Sequence, residues 1–260
     1  MSVSGKKVLV TGGSSGIGRE TVKTFAAAGA ASIAVIARRQ DLLNETKKIV
    51  NNEFKDVGIT LHSVDITNVE QVRTAAQKIG PWDIRVLNAG YMSTPARIED
   101  DDLEEWWRGF EISINGQFMI AQAFMPSRNE GAKVIGTSTS AISMDASLQT
   151  SYSSYVTSKF GLVKFYEVLA AKYPDTHVVT FHPGIVETDM FVKSEMTGMP
   201  MDKATLPSHF AVWLVSLEAA FPRGKFVSTN WDVNELKVRA KEIQDSSILT
   251  SNILGWPFKP

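Results

Sequence analysis

The sequence predicts an α/β fold built on a doubly wound, seven-stranded parallel sheet with helices on both faces. Short apolar runs alternate along the chain with longer helical stretches, and a glycine-rich turn joins the first run to the first helix. The runs are almost continuously apolar, which is typical of strands buried on both faces. Strands that alternate with helices build right-handed βαβ units. At 260 residues we expect one domain, residues 1–260.

Each predicted strand is rich in β-branched residues and is bounded by Gly, Asp, Asn or Pro. We predict strands at 8–10, 33–36, 60–64, 84–87, 134–137, 178–181 and 226–228. We predict crossover helices at 17–28, 41–54, 69–79, 103–125 and 152–172. Gly29 suits the end of the first helix, and Pro174 is expected to stop the last.

Residues 187–207 show the weakest pattern for regular structure, with Gly198, Pro200, Pro207 and four methionines. The segment follows a predicted strand end, where open α/β sheets bind their ligands. We therefore expect a mobile lid over an apolar substrate. A surface loop filled by adaptable methionines is the alternative.

Composition excludes several kinds of site and partner. The chain has no cysteine and four histidines without metal-ligand spacing, so we expect no disulfide, thiolate centre or metal. A net charge of -1 weighs against binding to nucleic acid or to an anionic membrane. No apolar run approaches the roughly 18 residues that span a bilayer, and Met1–Lys7 does not resemble a signal peptide. We expect a cytoplasmic protein.

The turn at residues 11–18 has the spacing of a phosphate-binding loop. A pyrophosphate needs bare backbone N–H groups at a helix N-terminus, with no Cβ in the way. An ordinary turn is the alternative, but the position between a strand and a helix favours a nucleotide. The residues predicted to contact it are Gly12, Ser14, Ser15, Gly16, Ile17 and Gly18.

Five motifs together resemble the short-chain dehydrogenase/reductase family in order and spacing. They are T-G-x3-G-x-G at 11–18, Asp65-Ile66, Asn88-Ala89-Gly90, Tyr155-x3-Lys159 and Pro183-Gly184. The resemblance extends from Lys6 to about Asp232, and residues 230–233 are similar to fungal-type members that act on specialised metabolites. It implies a Rossmann-like domain, oxidoreductase activity with a nicotinamide cofactor, and a homo-oligomer (dimer or tetramer) formed through helices 103–125 and 152–172.

The resemblance also assigns further residues to the cofactor. Asp65 and Ile66 are expected at the adenine and Asn88, Ala89 and Gly90 at the nicotinamide ribose. Pro183, Gly184, Val186 and Thr188 are expected near the carboxamide and the phosphates. For Asp65, a place at the start of helix 69–79 is the alternative.

The end of the second strand predicts the choice of cofactor. An NAD enzyme usually carries an acid there for the ribose 2′-hydroxyl, whereas this chain has Arg38 and Arg39. A guanidinium binds a phosphate bidentately, and cations are unfavourable at a helix start unless an anion is bound. We predict NADP(H); a solvated arginine pair is the alternative.

Tyr155 and Lys159 lie four residues apart, on one face of a predicted helix. Tyrosine titrates near 10, too high for a base at neutral pH. A cation at about 4 Å would lower this pKa by about three units, since the interaction is worth roughly 4 kcal/mol. We therefore predict that Lys159 brings the Tyr155 phenol near working pH.

The family resemblance implies two more catalytic groups. A hydroxyl after the fifth strand binds the substrate oxygen; alignment favours Thr139 and Ser138, with Ser140 left open. The family's Asn in N-x2-G-x-F falls on Ser113, while Asn115 is about 200° further around the helix. Ser113 is expected to replace the Asn in part, by helping to hold a relay water.

These residues predict an enzyme that interconverts a carbonyl and a secondary alcohol on a small or mid-sized, apolar metabolite. Ser113 motivates the alternative of a non-redox isomerase, dehydratase or cyclase on the same scaffold. A cofactor-sensing binding protein without turnover is a third reading, against which Tyr155 and Lys159 speak.

Overall fold

The computed structural model describes residues 3–253, and all predicted strands lie in one parallel sheet. The strands are β1 (Lys7–Thr11), β2 (Ser32–Ala37), β3 (Gly58–Ser63), β4 (Trp82–Leu87), β5 (Arg128–Thr137), β6 (His177–His182) and β7 (Phe226–Ser228). Their order is β3-β2-β1-β4-β5-β6-β7, and neighbouring strands pair in parallel. The predicted doubly wound fold is confirmed. Its order reverses between β1 and β4, where such sheets open a crevice at their carboxyl ends.

The α-helices cover both faces of this sheet. They are α1 (Gly16–Ala27), α2 (Gln40–Glu53), α3 (Val69–Ile79), α4 (Leu103–Phe110), α5 (Gln117–Phe124), α6 (Ser153–Lys172), α7 (Asp189–Lys193), α8 (Thr205–Leu214), α9 (Val233–Val238) and α10 (Ala240–Asp245). Within residues 3–253, none of them combines the length and the apolar character that crossing a membrane requires.

Two hydrophobic cores hold the helices to the sheet. One lies between the sheet and helices α1, α2 and α8, and the other between the sheet and helices α3, α5 and α6. Val8 and Val10 of β1 point into the first core and Leu9 into the second, each no more than 3% exposed. Because successive side chains alternate between two buried faces, the strand is apolar throughout.

The predicted helix 103–125 is interrupted in the structure. Helices α4 and α5 are joined by a π-helical segment, Glu111–Gly116. Its hydrogen bonds reach one residue further than those of an α-helix, and such segments often occur at functional sites. The apolar pattern is nearly the same in both kinds of helix, so the sequence did not reveal it.

Two other predicted boundaries were wrong. The predicted loop 187–207 contains helix α7, and α8 already begins at Thr205. Pro207 lies in the first turn of α8, where proline is tolerated because the N–H it lacks would have no intrahelical partner. Strand β5 begins at Arg128, before its apolar run, because its first residues are polar.

The contact between α1 and β1 depends on a glycine. A Cβ on Gly18 would overlap the carbonyl oxygen of Gly12, which is backbone and cannot swing away. We expect Gly18→Ala to lower the free energy of unfolding by about 2 kcal/mol. The melting temperature should fall by about 5 °C in thermal unfolding.

Gly161→Ala is the matched control, because Gly161 also lies inside a helix. Its Cβ would lie 3.2 Å from the terminal methyl of Ile114, which can move. Alanine also stabilises a helix interior by about 1 kcal/mol relative to glycine. The control should melt no lower than the unaltered protein; equal losses in both variants would contradict this account.

Candidate functional site

A cleft of about 380 Å³ opens at the carboxyl ends of the central strands, where the strand order reverses. It brings together most of the residues predicted for cofactor and catalysis. Those in its wall are Gly12, Ser14, Ser15, Gly16, Ile17, Arg38, Arg39, Asp65, Ile66, Asn88, Ala89, Gly90, Ser138, Tyr155, Lys159, Pro183 and Thr188. Gly18, Ser113, Thr139, Gly184 and Val186 lie outside the wall.

The glycine-rich turn forms one end of the cleft. Gly12 has φ +68°, and a Cβ there would lie 3.0 Å from the backbone of Ala89. A Cβ on Gly16 would lie 2.9 Å from Thr188 Cγ2. Helix α1 starts here without a side-chain cap and without an acidic residue in its first turn. Its first N–H groups therefore remain available to an anion, in a cradle that larger residues would fill.

The two arginines after β2 are placed differently. Arg39 Nη2 donates to Ser15 Oγ at 3.1 Å, and its Nη1 lies 3.5 Å from Asp189 Oδ2 of α7. The Arg38 guanidinium is exposed, makes no hydrogen bond to any residue between 3 and 253, and acts on Asp65 through space. Arg38 is thus the guanidinium left free to bind a phosphate.

Asp65 follows β3, lines the cleft and also makes hydrogen bonds within the turn before α3. Its Oδ1 accepts hydrogen bonds from the Thr67 backbone N–H at 2.9 Å and from the Thr67 hydroxyl at 2.8 Å. Burial would raise the pKa of Asp65, but these bonds and the charges of Arg38 and Arg108 outweigh it and lower the pKa. Asn68, not Asp65, caps α3. Asp65 is therefore an ionised wall residue that also shapes the turn before α3.

The segment after β4 lies against the glycine-rich turn. Ala89 N–H donates to Thr11 Oγ1 at 3.2 Å, and the Ala89 carbonyl accepts from Gln117 Nε2 at 2.8 Å. Asn88 Nδ2 donates to the Gly12 carbonyl at 3.4 Å. These bonds fix the backbone that the sequence analysis assigned to the wall beside the nicotinamide ribose.

Tyr155 and Lys159 lie on α6 at the floor of the cleft. Lys159 Nζ is 6.0 Å from the Tyr155 ring centroid and donates to the Thr137 carbonyl at 3.2 Å. A Cβ on Gly90 would lie 2.9 Å from this ammonium. Burial lowers the pKa of Lys159 to about 8.

The predicted effect of Lys159 on the phenol was wrong for this geometry. Burial raises the pKa of Tyr155, and a hydrogen bond with the Thr139 side chain offsets this only in part. The prediction assumed about 4 Å between the charge and the phenol. In the structure the ammonium is directed to Thr137, so desolvation dominates and the phenol is protonated at neutral pH.

The three hydroxyls after β5, between which the sequence left the catalytic role open, have different partners. Ser138 Oγ donates to the Lys159 carbonyl at 3.1 Å. Ser140 Oγ lies 3.2 Å from His182 Nε2. The Thr139 side chain is the one beside the Tyr155 phenol. Of the three, Thr139 is thus the residue that interacts with the phenol, although it does not itself line the cleft.

Ser113 lies in the π-helical segment and is fully buried. Its hydroxyl has no hydrogen-bond partner among residues 3–253. Asn115 is exposed, as the helix geometry predicted. The chain therefore places a small, unpartnered hydroxyl where the family pattern has a carboxamide.

Two of the four predicted residues after β6 line the cleft, and the other two pack against Asp202. Pro183 and Thr188 line the cleft. Gly184 has φ +78°, and a Cβ there would overlap the Asp202 carboxylate. Val186 is buried and pairs with Asp202 in an isolated parallel bridge. Asp202 therefore ties the far end of the segment 187–204 back to this backbone.

Sequence reasoning missed part of the cleft wall. Tyr91, Met190 and Lys193 contribute to it, from the loop after β4 and from α7. The only sequence signal for Tyr91 is its position next to Asn88-Ala89-Gly90, and Met190 lay within the predicted lid. Lys193 lay within the predicted lid as well, but its contact with the cleft comes from tertiary packing.

The sequence is similar to known short chain dehydrogenases. The family model described as short chain dehydrogenase matches residues 6–197. The short chain dehydrogenase/reductase nsrO of Aspergillus novofumigatus is 28% identical over 261 residues, which is 96% of this chain and 89% of that protein. The short chain dehydrogenase pigC of Monascus ruber is 30% identical over 259 residues, which is 93% of this chain and 84% of that protein. Both relatives are fungal, as residues 230–233 suggested.

Solved structures share the fold. A short chain dehydrogenase from Shigella flexneri 2a str. 301, complexed with NADP, has a TM-score of 0.80 and 23% identity, covering 88% of this chain and 98% of that one. One from Escherichia coli CFT073, complexed with NADPH, has a TM-score of 0.79 with the same identity and coverage.

The burial of Lys159 predicts an unusual titration in the protein without nucleotide. We expect its ammonium to titrate near pH 8, well below the usual value of about 10.4. The unfolded chain then binds the additional proton between these pH values, so folding stability should rise with pH across that window. NMR of lysine side chains labelled with ¹³C at Cε measures the titration.

Lys159→Met assigns the signal, because the variant should lack it. A spectrum in which no such signal titrates below about pH 9.5 would contradict the burial of this charge.

Proposed function

Because this chain belongs to the short-chain dehydrogenase/reductase family, we propose that it is an NADP(H)-dependent enzyme that interconverts a carbonyl and a secondary alcohol. The observation that carries the proposal is the grouping of Tyr155, Lys159 and Thr139. Tyr155 and Lys159 lie in the wall of the cleft, and the Thr139 hydroxyl lies beside the Tyr155 phenol. The substrate is proposed to be a small or mid-sized apolar metabolite.

The residues of the cleft fit a dinucleotide. The amides that begin α1 would bind the pyrophosphate, in the cradle kept open by Gly12 and Gly16. The free guanidinium of Arg38 would bind the 2′-phosphate, which favours NADP(H) over NAD(H). Asp65 and Ile66 would contact the adenine. The NADP and NADPH complexes of the two structural neighbours support this choice.

The proposed chemistry assigns one task to each side chain. A nicotinamide held in the cleft would supply the hydride for reduction of a carbonyl carbon, or accept one from an alcohol. Tyr155, protonated at neutral pH, donates its proton to the carbonyl oxygen during reduction and takes it back during oxidation. Thr139 donates a hydrogen bond to the same oxygen and orients it. The ammonium of Lys159 stabilises the phenolate that remains.

Ser113 distinguishes this chain from the family pattern. We propose that its buried hydroxyl, which has no partner among residues 3–253, helps to hold a water that returns a proton toward Lys159. The same residue favours the second candidate, an isomerase, dehydratase or cyclase that needs no proton from solvent. A product formed without net oxidation of NADPH would identify that candidate.

The homo-oligomer stays a prediction. The helices assigned to it carry exposed apolar side chains, which gain stability when they are covered. They are Leu103, Trp107, Phe118, Phe160 and Val168.

Tyr155→Phe tests the proposed proton donor. We expect turnover of a panel of ketones, followed by NADPH absorbance, to fall by about 10²- to 10⁴-fold, because general acid catalysis contributes about that much. NADPH binding, measured by fluorescence titration, should be retained. Turnover that survives the substitution would refute the role of Tyr155.

Thr139→Ala and Ser138→Ala form a matched pair for the same assay. The Thr139 variant should lose turnover, whereas the Ser138 hydroxyl is bound to the Lys159 carbonyl and is expected to matter less for kcat.

Arg38→Asp tests the cofactor preference. The substitution removes a charge-assisted bond to the 2′-phosphate and adds repulsion. We expect the ratio of NADPH to NADH affinity to fall at least about ten-fold, since hydrogen bonds to charged groups contribute about 1.5–3 kcal/mol. Equilibrium titration with both nucleotides measures the ratio.

Arg73→Asp on α3 is the control for this change of charge. Its side chain is exposed and paired with Glu70, outside the wall of the cleft. An unchanged preference in Arg38→Asp, or an equal change in the control, would reject the assignment of Arg38.

A further inference from the structure

Glu105 of α4 is the centre of a polar cluster beside the cleft. Its Oε1 accepts a hydrogen bond from Lys193 Nζ at 2.5 Å, and its Oε2 accepts one from the Tyr91 hydroxyl at 2.6 Å. Lys193 Nζ also donates to the Tyr91 oxygen at 2.8 Å. The Thr94 N–H donates to Glu105 Oε1 at 3.0 Å. One carboxylate therefore joins α4, the loop after β4 and helix α7.

The electrostatics of this cluster keep the carboxylate ionised. Burial alone would raise the pKa of Glu105, but hydrogen bonds from Lys193, Tyr91 and Thr94 outweigh it and hold the pKa at about 2. The side chains of Glu105 and Lys193 are 23% and 36% exposed. A short, partly buried and charge-assisted pair is stronger than an exposed one.

The other contacts of the segment 187–204 are weaker or lie at its ends. The Arg39–Asp189 pair is long, at 3.5 Å, and both side chains are mostly exposed. The Tyr152 hydroxyl donates to the Ser194 carbonyl at 2.9 Å, which is a single neutral bond. Asp202 holds the far end of the segment. The cluster around Glu105 is thus the main electrostatic tether of α7 itself.

Helix α7 lies across the part of the cleft that contains the ammonium of Lys159. Met190 and Lys193 of α7 line the cleft together with Gly90. A Cβ on Gly90 would lie 3.6 Å from Met190 Cε and 2.9 Å from Lys159 Nζ. A ligand that entered or left beside Gly90 would therefore have to pass α7.

We propose that Glu105 is a positioning residue that holds α7 across the cleft through Lys193 and Tyr91, and that it thereby slows the release of bound nucleotide. Glu105 acts through these two side chains and is absent from the cleft wall. The nucleotide half of this inference rests on the proposed function; the closure of α7 does not.

The first experiment measures α7 in the protein without nucleotide. Glu105→Gln keeps the size of the side chain and removes its charge. We expect backbone amides at 189–195 to exchange with deuterium about ten-fold faster, with the strands unchanged. Glu70→Gln is the control, since Glu70 pairs with Arg73 on α3 at 3.0 Å, outside the cleft wall. Unchanged exchange in Glu105→Gln would overturn the proposal.

Lys193→Met also tests whether the Glu105–Lys193 contact holds α7, and it can be used if Glu105→Gln folds poorly. The methionine keeps most of the aliphatic packing and loses the ammonium. Exchange at 189–195 should rise as in Glu105→Gln, and the double variant should add little, because both changes break one interaction. Fully additive effects would show that the two residues act separately and would overturn the proposal.

The second experiment measures nucleotide release by stopped-flow fluorescence, chasing bound NADPH with excess NADP⁺. Glu105→Gln should release NADPH about ten-fold faster and raise KM for NADPH, while kcat stays the same or rises. Faster amide exchange without faster release would overturn the proposal, as would a fall in kcat at unchanged KM. If the unaltered protein does not bind NADPH, the proposed function fails, and the exchange experiment still decides whether Glu105 holds α7.

Discussion

Lys159 is 3% exposed, and its ammonium has one hydrogen-bond acceptor among residues 3–253, the Thr137 carbonyl oxygen. Burying a charge with so few partners is costly, and this cost is what lowers the pKa of Lys159 to about 8. The group still carries its proton at neutral pH. The fold tolerates it because α6 is fixed on the sheet by apolar side chains such as Leu162 and Leu169. Gly90 and the Tyr155 ring both lie close to this ammonium.

The end of β5 and helix α6 are held so close that they form one unit. Ser138 Oγ donates to the Lys159 carbonyl, and a Cβ on Gly136 would lie 2.5 Å from the Tyr166 ring. The next residue of the chain after Ser138 is then Thr139, beside the phenol. The close approach of β5 and α6 thus brings the hydroxyl and the phenol together, and residues held by helices and strands are placed more precisely than residues on loops.

The parts of the site that the sequence predicts are those set by local backbone geometry. Residues 12–18 must be glycine-rich wherever a strand turns at once into a helix that binds an anion. The spacing of Tyr155 and Lys159 places both on one face of a helix in any fold. The direction of the Lys159 ammonium, and the balance between burial and charge, depend on Thr137 at the end of β5 and on Gly90 in the loop after β4. That is why the sign of the Tyr155 pKa shift was predicted wrongly.

Glu105 shows the same limit of sequence-based prediction at its contact with α7. Asp102 caps α4, and Glu105 follows it with the spacing of a capping box, in which the glutamate would bind back to the cap. In the structure the carboxylate is directed to Lys193, 88 residues further along the chain. The capping-box pattern therefore predicts a hydrogen-bond partner for Glu105 that is not the one found in the structure. Only the approach of α7 to α4 reveals the contact.

Ser113, which stands where the family pattern has an asparagine, lies in the π-helical segment 111–116. A carboxamide binds a water through separate donor and acceptor atoms, whereas a serine hydroxyl donates and accepts hydrogen bonds at one oxygen. The π-helical turn that carries Ser113 is of a kind frequently found at functional sites. On the proposed function, each reduction removes a proton from Tyr155 that has to be returned. The buried hydroxyl of Ser113, without a partner among residues 3–253, is a chemically suitable member of that return path. On that proposal, a serine in place of the family's asparagine would alter the path without, by itself, removing it.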